Sequence, residues 1–183
     1  MKKFSNLIVL GPLIYVIHHF EEHIIFNFRE WRLNYFPDNN PISTEEILIR
    51  LSAFLLIVIF IHIIKRNRAS AHIVLFFLMT TQVINAFFHV FFSFYFSDFS
   101  PGAITAVLLY LPINYLIFKA ALDEGLLGSL KEVGYLFVIG ASTFALFEVI
   151  GPKILLISIF FAAVYYFVFN KYDSNKSQLE ESN

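Results

Sequence analysis

Between positions 18 and 23 the chain reads His18-His19-Phe20-Glu21-Glu22-His23, a run of ionisable side chains interrupted by one phenylalanine inside an otherwise apolar stretch. On a helix advancing about 100° per residue, His18, Glu21 and Glu22 fall within one arc of about 100°, and His19 and His23 share the adjoining face one turn apart. Carboxylates side by side in a low dielectric repel unless a cation, a histidinium or a shared proton compensates. Further along, Gln82, Asn85, His89 and Ser93 form a second polar stripe at spacings of three and four. Imidazole nitrogen and carboxylate oxygen together suit zinc, iron or manganese. The expected ligands are His18, Glu22 and His89, with one position left open for water. Glu21 is then the expected general base, and Asn85 the residue that orients His89 or polarises a substrate carbonyl.

Four further residues are candidates for the same site. His19 and His23 divide evenly between facing it and facing the outer headgroup region. Asn114, beside Pro112, would line the cavity more deeply. Glu148 would be a ligand, a proton carrier or an interfacial carboxylate next to the Gly151-Pro152 turn. The bland alternative for the whole constellation is a hydrogen-bond network that glues helices together. Such bonds contribute about 0.6 kcal/mol on average, against about 2.5 to 3.5 kcal/mol for each charged group placed at depth on insertion scales, so the magnitudes favour function. His62 and His72, flanking Lys65-Arg66-Asn67-Arg68, are expected to be interfacial anchors.

The elements that position these groups follow from composition. Of 183 residues, 58% are hydrophobic and 15% charged, with 24 phenylalanines, 9 tyrosines and a mean hydropathy of +0.70. That leaves too little polar surface to coat a water-soluble domain of this length. Six continuous apolar blocks without strand-like alternation run roughly over 4–28, 47–64, 72–96, 102–122, 133–150 and 154–170, each near the 20 or so residues a helix needs to cross hydrocarbon. The expected fold is therefore all-α, a polytopic membrane bundle of six transmembrane helices. Five is the alternative, because Gly151-Pro152-Lys153 separates two short blocks. One helical domain covers 1–170, and 171–183 reads as a disordered cytoplasmic tail. The Met1-Lys2-Lys3 start lacks a small-residue cleavage site after its apolar run and reads as a retained first helix.

Lysine and arginine placement sets the orientation. With both termini inside, Lys2, Lys3, Lys65, Arg66, Arg68, Lys119, Lys131, Lys171 and Lys176 are cytoplasmic, and Arg29, Arg32, Arg50 and Lys153 lie outside. The 29–46 connection is then an external loop around Pro37-Asp38-Asn39-Asn40-Pro41. Arg29, Trp31 and Arg32 form an interface belt, and Ser43-Thr44-Glu45-Glu46 starts the second span. In this arrangement His18 to His23, His89 and Glu148 all fall in the outer half of the bilayer, which predicts one shared site. A formal net charge of −1 excludes an electrostatic nucleic-acid surface. The absence of cysteine excludes disulfides and thiolate chemistry.

His18-His19-Phe20-Glu21-Glu22, then Asn85-Ala86-Phe87-Phe88-His89, then Ser100-Pro101-Gly102-Ala103-Ile104-Thr105-Ala106 followed by Pro112, resembles the HXXEE-motif family of bacterial membrane proteins of unknown function over about the first 120 residues. The resemblance implies a small all-helical membrane protein with its site at the motif histidine and glutamates, and it supplies no reaction. From the residues, the leading expectation is a metal-dependent, hydrolase-like enzyme in the cell membrane acting on a lipid or other apolar substrate, with a single metal. The histidine count falls short of the many-histidine pattern of membrane di-iron desaturases. The competing expectations are a metal-free acid–base lipid isomerase, a proton-coupled small transporter and a non-catalytic membrane partner protein. Pro101-Gly102 most simply opens the fourth helix, and Thr105 bonds back to a carbonyl.

Overall fold

The computed structural model describes residues 3–38 and 42–181, and within them every regular element is helical. The first apolar block is α1 (Lys3–Leu7) and α2 (Leu10–Phe20), continued by a π-helical turn at Glu21–Ile25. Then come α3 (Phe28–Leu33), α4 (Thr44–Lys65), α5 (Arg68–Leu78), a π turn at Met79–Ile84, α6 (Asn85–Tyr95), α7 (Ala103–Thr105), a π turn at Ala106–Tyr110, α8 (Leu111–Asp123), α9 (Leu130–Ile150) and α10 (Lys153–Glu181). Among the described residues five helical stretches are long and apolar enough to cross a membrane: Glu45–Lys65, Arg68–Tyr95, Ala103–Asp123, Leu130–Ile150 and Lys153–Asp173. The Arg68–Tyr95 stretch is the central one, 56% buried over its most apolar window, against 6% for Leu130–Ile150.

The first block is not the uninterrupted sixth span that its composition suggests. Pro12 has no N–H to give Ile8, and Gly11 N–H reaches the Ile8 carbonyl instead, at 3.0 Å, so the helix breaks at Ile8–Val9. The last two blocks are separate helices. Gly151 adopts φ +84°, closed to most side chains, and Pro152 follows it.

Ion pairs fix which helix ends lie together. Arg68, opening α5, meets Glu132 in the first turn of α9 at 3.1 Å and Asp173 late in α10 at 3.4 Å, so α9 and α10 run antiparallel. Phe4 N–H donates to Glu124, just past α8, at 2.7 Å, and the Phe4 ring meets His62 of α4 edge-on at 5.0 Å. These contacts gather Lys3, Lys65, Arg66 and Arg68 at one end of the bundle and the motif at the other. Below the motif, Phe4, Ile8, Leu75, Leu78, Ile117 and Leu127 form the apolar core.

Three expectations are corrected here. His62 and His72 are buried: His62 Nδ1 pairs with Ser70 Oγ at 2.9 Å, and His72 Nε2 with the Leu126 carbonyl at 2.9 Å, so they pin helix ends together. The 29–46 connection contains α3, whose start is capped by Asn27 accepting from Glu30 N–H at 3.2 Å; Trp31 of the expected surface belt is buried, and positions 39–41 lie outside the described residues. The polar residues from Lys171 continue α10 to Glu181, where composition suggests a disordered tail, because lysine, glutamine and glutamate propagate an existing helix readily. The expected start of the second span holds, with Ser43 Oγ accepting from Glu46 N–H at 3.2 Å.

Candidate metal centre

Three π turns surround the motif. A π turn adds a residue to the helical ladder, widens it and swings the side chains that follow, and such turns concentrate at functional sites. The first carries Glu21, Glu22 and His23. The second separates Gln82 from Asn85 and His89, so the stripe expected from ideal periodicity splits in two. The third precedes Pro112, whose missing N–H loosens the ladder, and carries Tyr110.

His18, Glu22 and His89 converge, as their types and heights predict. Glu22 Oε1 lies 3.4 Å from His18 Nε2 and 3.1 Å from His89 Nε2, close enough to interact but with neither nitrogen in line for a well-formed hydrogen bond. The ligand atoms of the three residues lie within 4.8 Å of one another, a grouping able to hold a metal ion. All three residues are buried. The far side of each ring is held. His18 Nδ1 faces Thr105 Oγ at 2.7 Å, and His89 Nδ1 faces Ser100 Oγ at 2.9 Å. The Thr105 hydroxyl donates to the Gly102 carbonyl at 3.4 Å, which leaves its lone pairs to accept from His18 Nδ1–H. With Nδ1 donating in this order, a neutral His18 would turn its Nε2 lone pair toward a carboxylate oxygen. Two acceptors facing each other repel, and a cation between them removes the repulsion.

The site is closed above and below by residues whose roles composition does not disclose. Gly102, at φ +97°, fits against all three ligands. A Cβ there would come within 2.8 Å of His18 Cε1 and 3.0 Å of both Glu22 Cγ and His89 Cε1. Its position after Pro101 was the available signal, and its contact with the ligands was not readable. The Tyr110 ring lies tilted against His18 at a centroid distance of 4.3 Å. Phe28 of α3 covers His89 at 5.2 Å and His23 at 5.9 Å. Arg32 ties α3 down through Glu148 at 2.9 Å, a pair with side chains 13% and 23% exposed.

The other candidates divide clearly. Both Glu21 oxygens are engaged by backbone: Oε1 accepts from Gly102 N–H at 3.2 Å and Ile104 N–H at 3.1 Å, and Oε2 from Thr105 N–H at 2.7 Å. It caps the start of α7 and thereby seats Gly102 and Thr105 against the ligands. Ser100, not Asn85, orients His89. Asn85 lines a cavity of about 180 Å³, its side-chain oxygen buried without a hydrogen-bond partner. Asn114 stays one layer deeper, donating to Gln82 Oε1 at 2.8 Å and the Tyr110 carbonyl at 2.9 Å, while Gln82 donates to the Gly11 carbonyl at 2.8 Å. His19 and His23 face the site: both line the cavity with Glu22, their rings 4.3 Å apart. Glu148 lines the same cavity at its rim.

Neither the curated proteins nor the solved structures contain a match to this chain. A family model described as a protein of unknown function with HXXEE motif matches residues 9–117. The matched segment is more than half of the sequence and contains the convergent histidines and glutamates together with Gly102 and Thr105, and this chain belongs to the HXXEE-motif family.

Proposed function

We propose that the chain is a multi-pass membrane enzyme, hydrolase-like and metal-dependent, that acts on a lipid or other apolar substrate from a site in the outer half of the cell membrane, with both termini inside. The observation that carries this reading is the pair of buried imidazole Nε2 atoms converging on one oxygen of Glu22, out of line for well-formed hydrogen bonds, while serine and threonine hydroxyls hold the opposite nitrogens. An interhelical glue would satisfy those atoms instead of confronting them.

His18, Glu22 and His89 are the residues that would hold a zinc, iron or manganese ion, which would supply Lewis-acid polarisation of an ester or carbonyl oxygen. Thr105, Ser100 and Gly102 orient the ligands. Asn85 is placed to present its amide to a substrate in the cavity. An open apolar groove of about 960 Å³, lined by Phe87, Phe91, Phe94 and Phe137, shares Phe88, Phe144 and Glu148 with the cavity wall and supports entry of an apolar chain from the lipid side. The test is release of fatty acid or headgroup from phosphatidylglycerol and phosphatidylethanolamine vesicles containing the purified protein. Release that is lost on chelation, restored by zinc or manganese and absent in Glu22→Gln fits the proposal. Release that persists after chelation, in metal-free protein, overturns the metal dependence and leaves metal-free acid–base chemistry.

A further inference from the structure

Glu22 has a second oxygen, and it faces a second histidine pair. Oε2 lies 3.6 Å from His23 Nε2 and 3.8 Å from His19 Nδ1, and the ligand atoms of these three residues also fall within 4.8 Å of one another. We infer that the site binds two divalent transition-metal ions, one at His18 and His89 and one at His19 and His23, bridged by the two oxygens of the Glu22 carboxylate. The inference rests on the metal reading proposed above and extends it from one ion to two.

Distances decide between a metal bridge and hydrogen bonding. At the second position the nitrogen–oxygen separations of 3.6 and 3.8 Å are too long for hydrogen bonds. Ligand atoms sharing a tetrahedral zinc at about 2.0 to 2.1 Å stand about 3.3 Å apart from one another, and wider angles open that separation further. Four imidazoles ring a single carboxylate here. Each ion would take two neutral nitrogens and half of one anion, leaving coordination positions open. The second position is the more accessible: the His19 and His23 side chains are 11% and 17% exposed, against 2% and 0% for His18 and His89. It therefore lies on the cavity side, where a substrate would arrive. A further negative charge stands near it, since Glu45, in the first turn of α4, interacts electrostatically with both His19 and His23. Paired ions about 3.5 to 4 Å apart clamp both the attacking and the leaving oxygen of an ester in displacement chemistry, which makes phosphate or carboxylic esters of lipids the substrate class this pair would favour.

The experiment loads full-length detergent-purified protein with zinc, dialyses it and counts metal per chain, with manganese loading and electron paramagnetic resonance in parallel. Two ions in wild type, one in the His19→Ala/His23→Ala variant with unchanged helical circular dichroism, and an exchange-coupled manganese signal that becomes an isolated six-line spectrum in the variant, support the bridge. One ion in wild type, with an uncoupled spectrum, overturns the second position and leaves the single-metal reading standing. No bound ion in wild type overturns both. The wild-type count and spectrum decide the question even where the double variant fails to fold.

Discussion

Replacing Gly102 by alanine tests whether the backbone after Pro101 shapes the ligand set. The added methyl would stand 2.8 Å from His18 Cε1 and 3.0 Å from Glu22 Cγ and His89 Cε1, so ordinary contact at 3.4 Å requires these groups to retreat by several tenths of an ångström. A left-handed backbone costs an L residue about 1 to 2 kcal/mol, and forcing a methyl into a packed site adds about 1 to 3 kcal/mol. The expected destabilisation of Gly102→Ala is therefore about 2 to 5 kcal/mol. Gly125 provides the control. It too is left-handed, at φ +69°, but an added Cβ meets nothing within 4 Å, so Gly125→Ala should carry only the backbone cost of about 1 to 2 kcal/mol. Displacing oriented ligands lowers metal affinity by about 10- to 100-fold. Competition with a fluorescent chelator should show that drop for Gly102→Ala and none for Gly125→Ala, with thermal melts in detergent reporting stability. If Gly102→Ala binds metal as tightly as wild type, the convergence of His18, Glu22 and His89 on a common ion is wrong.

Thr105→Val keeps the shape and removes the oxygen that fixes His18 Nδ1, so metal affinity should fall about 10- to 100-fold by the same competition assay while Thr105→Ser retains it. Glu21→Gln weakens an anionic cap that serves three backbone N–H groups; it should lower stability by about 1 to 2 kcal/mol in thermal unfolding and leave metal content unchanged. Loss of turnover by Glu21→Gln at full stability would instead restore Glu21 as the base. The Tyr35 phenol, outside the spanning helices, is raised above its ordinary value because it donates to Asp98 at 2.8 Å and would become an anion beside that carboxylate. Its stabilising contribution is complete below a pH of about 10 and is lost as pH rises through the raised folded-state value, so an alkaline fall in melting temperature should be smaller in Tyr35→Phe.

Much of this arrangement is legible in the sequence. Ionisable residues inside an apolar block must face a partner, and the loop charges placed His18, Glu22 and His89 at matching heights. The distinct roles of Glu21 and Glu22 were not legible, since adjacent carboxylates on an ideal helix look equivalent. The π turn at Glu21–Ile25 and the unpaired N–H groups of α7 separate them. Spacing pairs Asn85 with His89, yet the Ser93–Gly102 turn brings Ser100 onto that ring, a contact across eleven residues that periodicity does not carry. The break at Ile8–Val9 was hidden for a related reason: hydropathy registers the apolar run and not the single hydrogen bond that Pro12 cannot make.

The central claim is that imidazoles from the first and third apolar blocks and the Glu22 carboxylate bind one ion in common. X-ray absorption fine structure at the zinc edge of the loaded, full-length protein tests it directly. Imidazole nitrogens are expected at about 2.0 to 2.1 Å, with imidazole scattering reduced in His89→Ala and the protein zinc-free in Glu22→Gln. A shell of oxygen alone, or a spectrum indifferent to both substitutions, would contradict it.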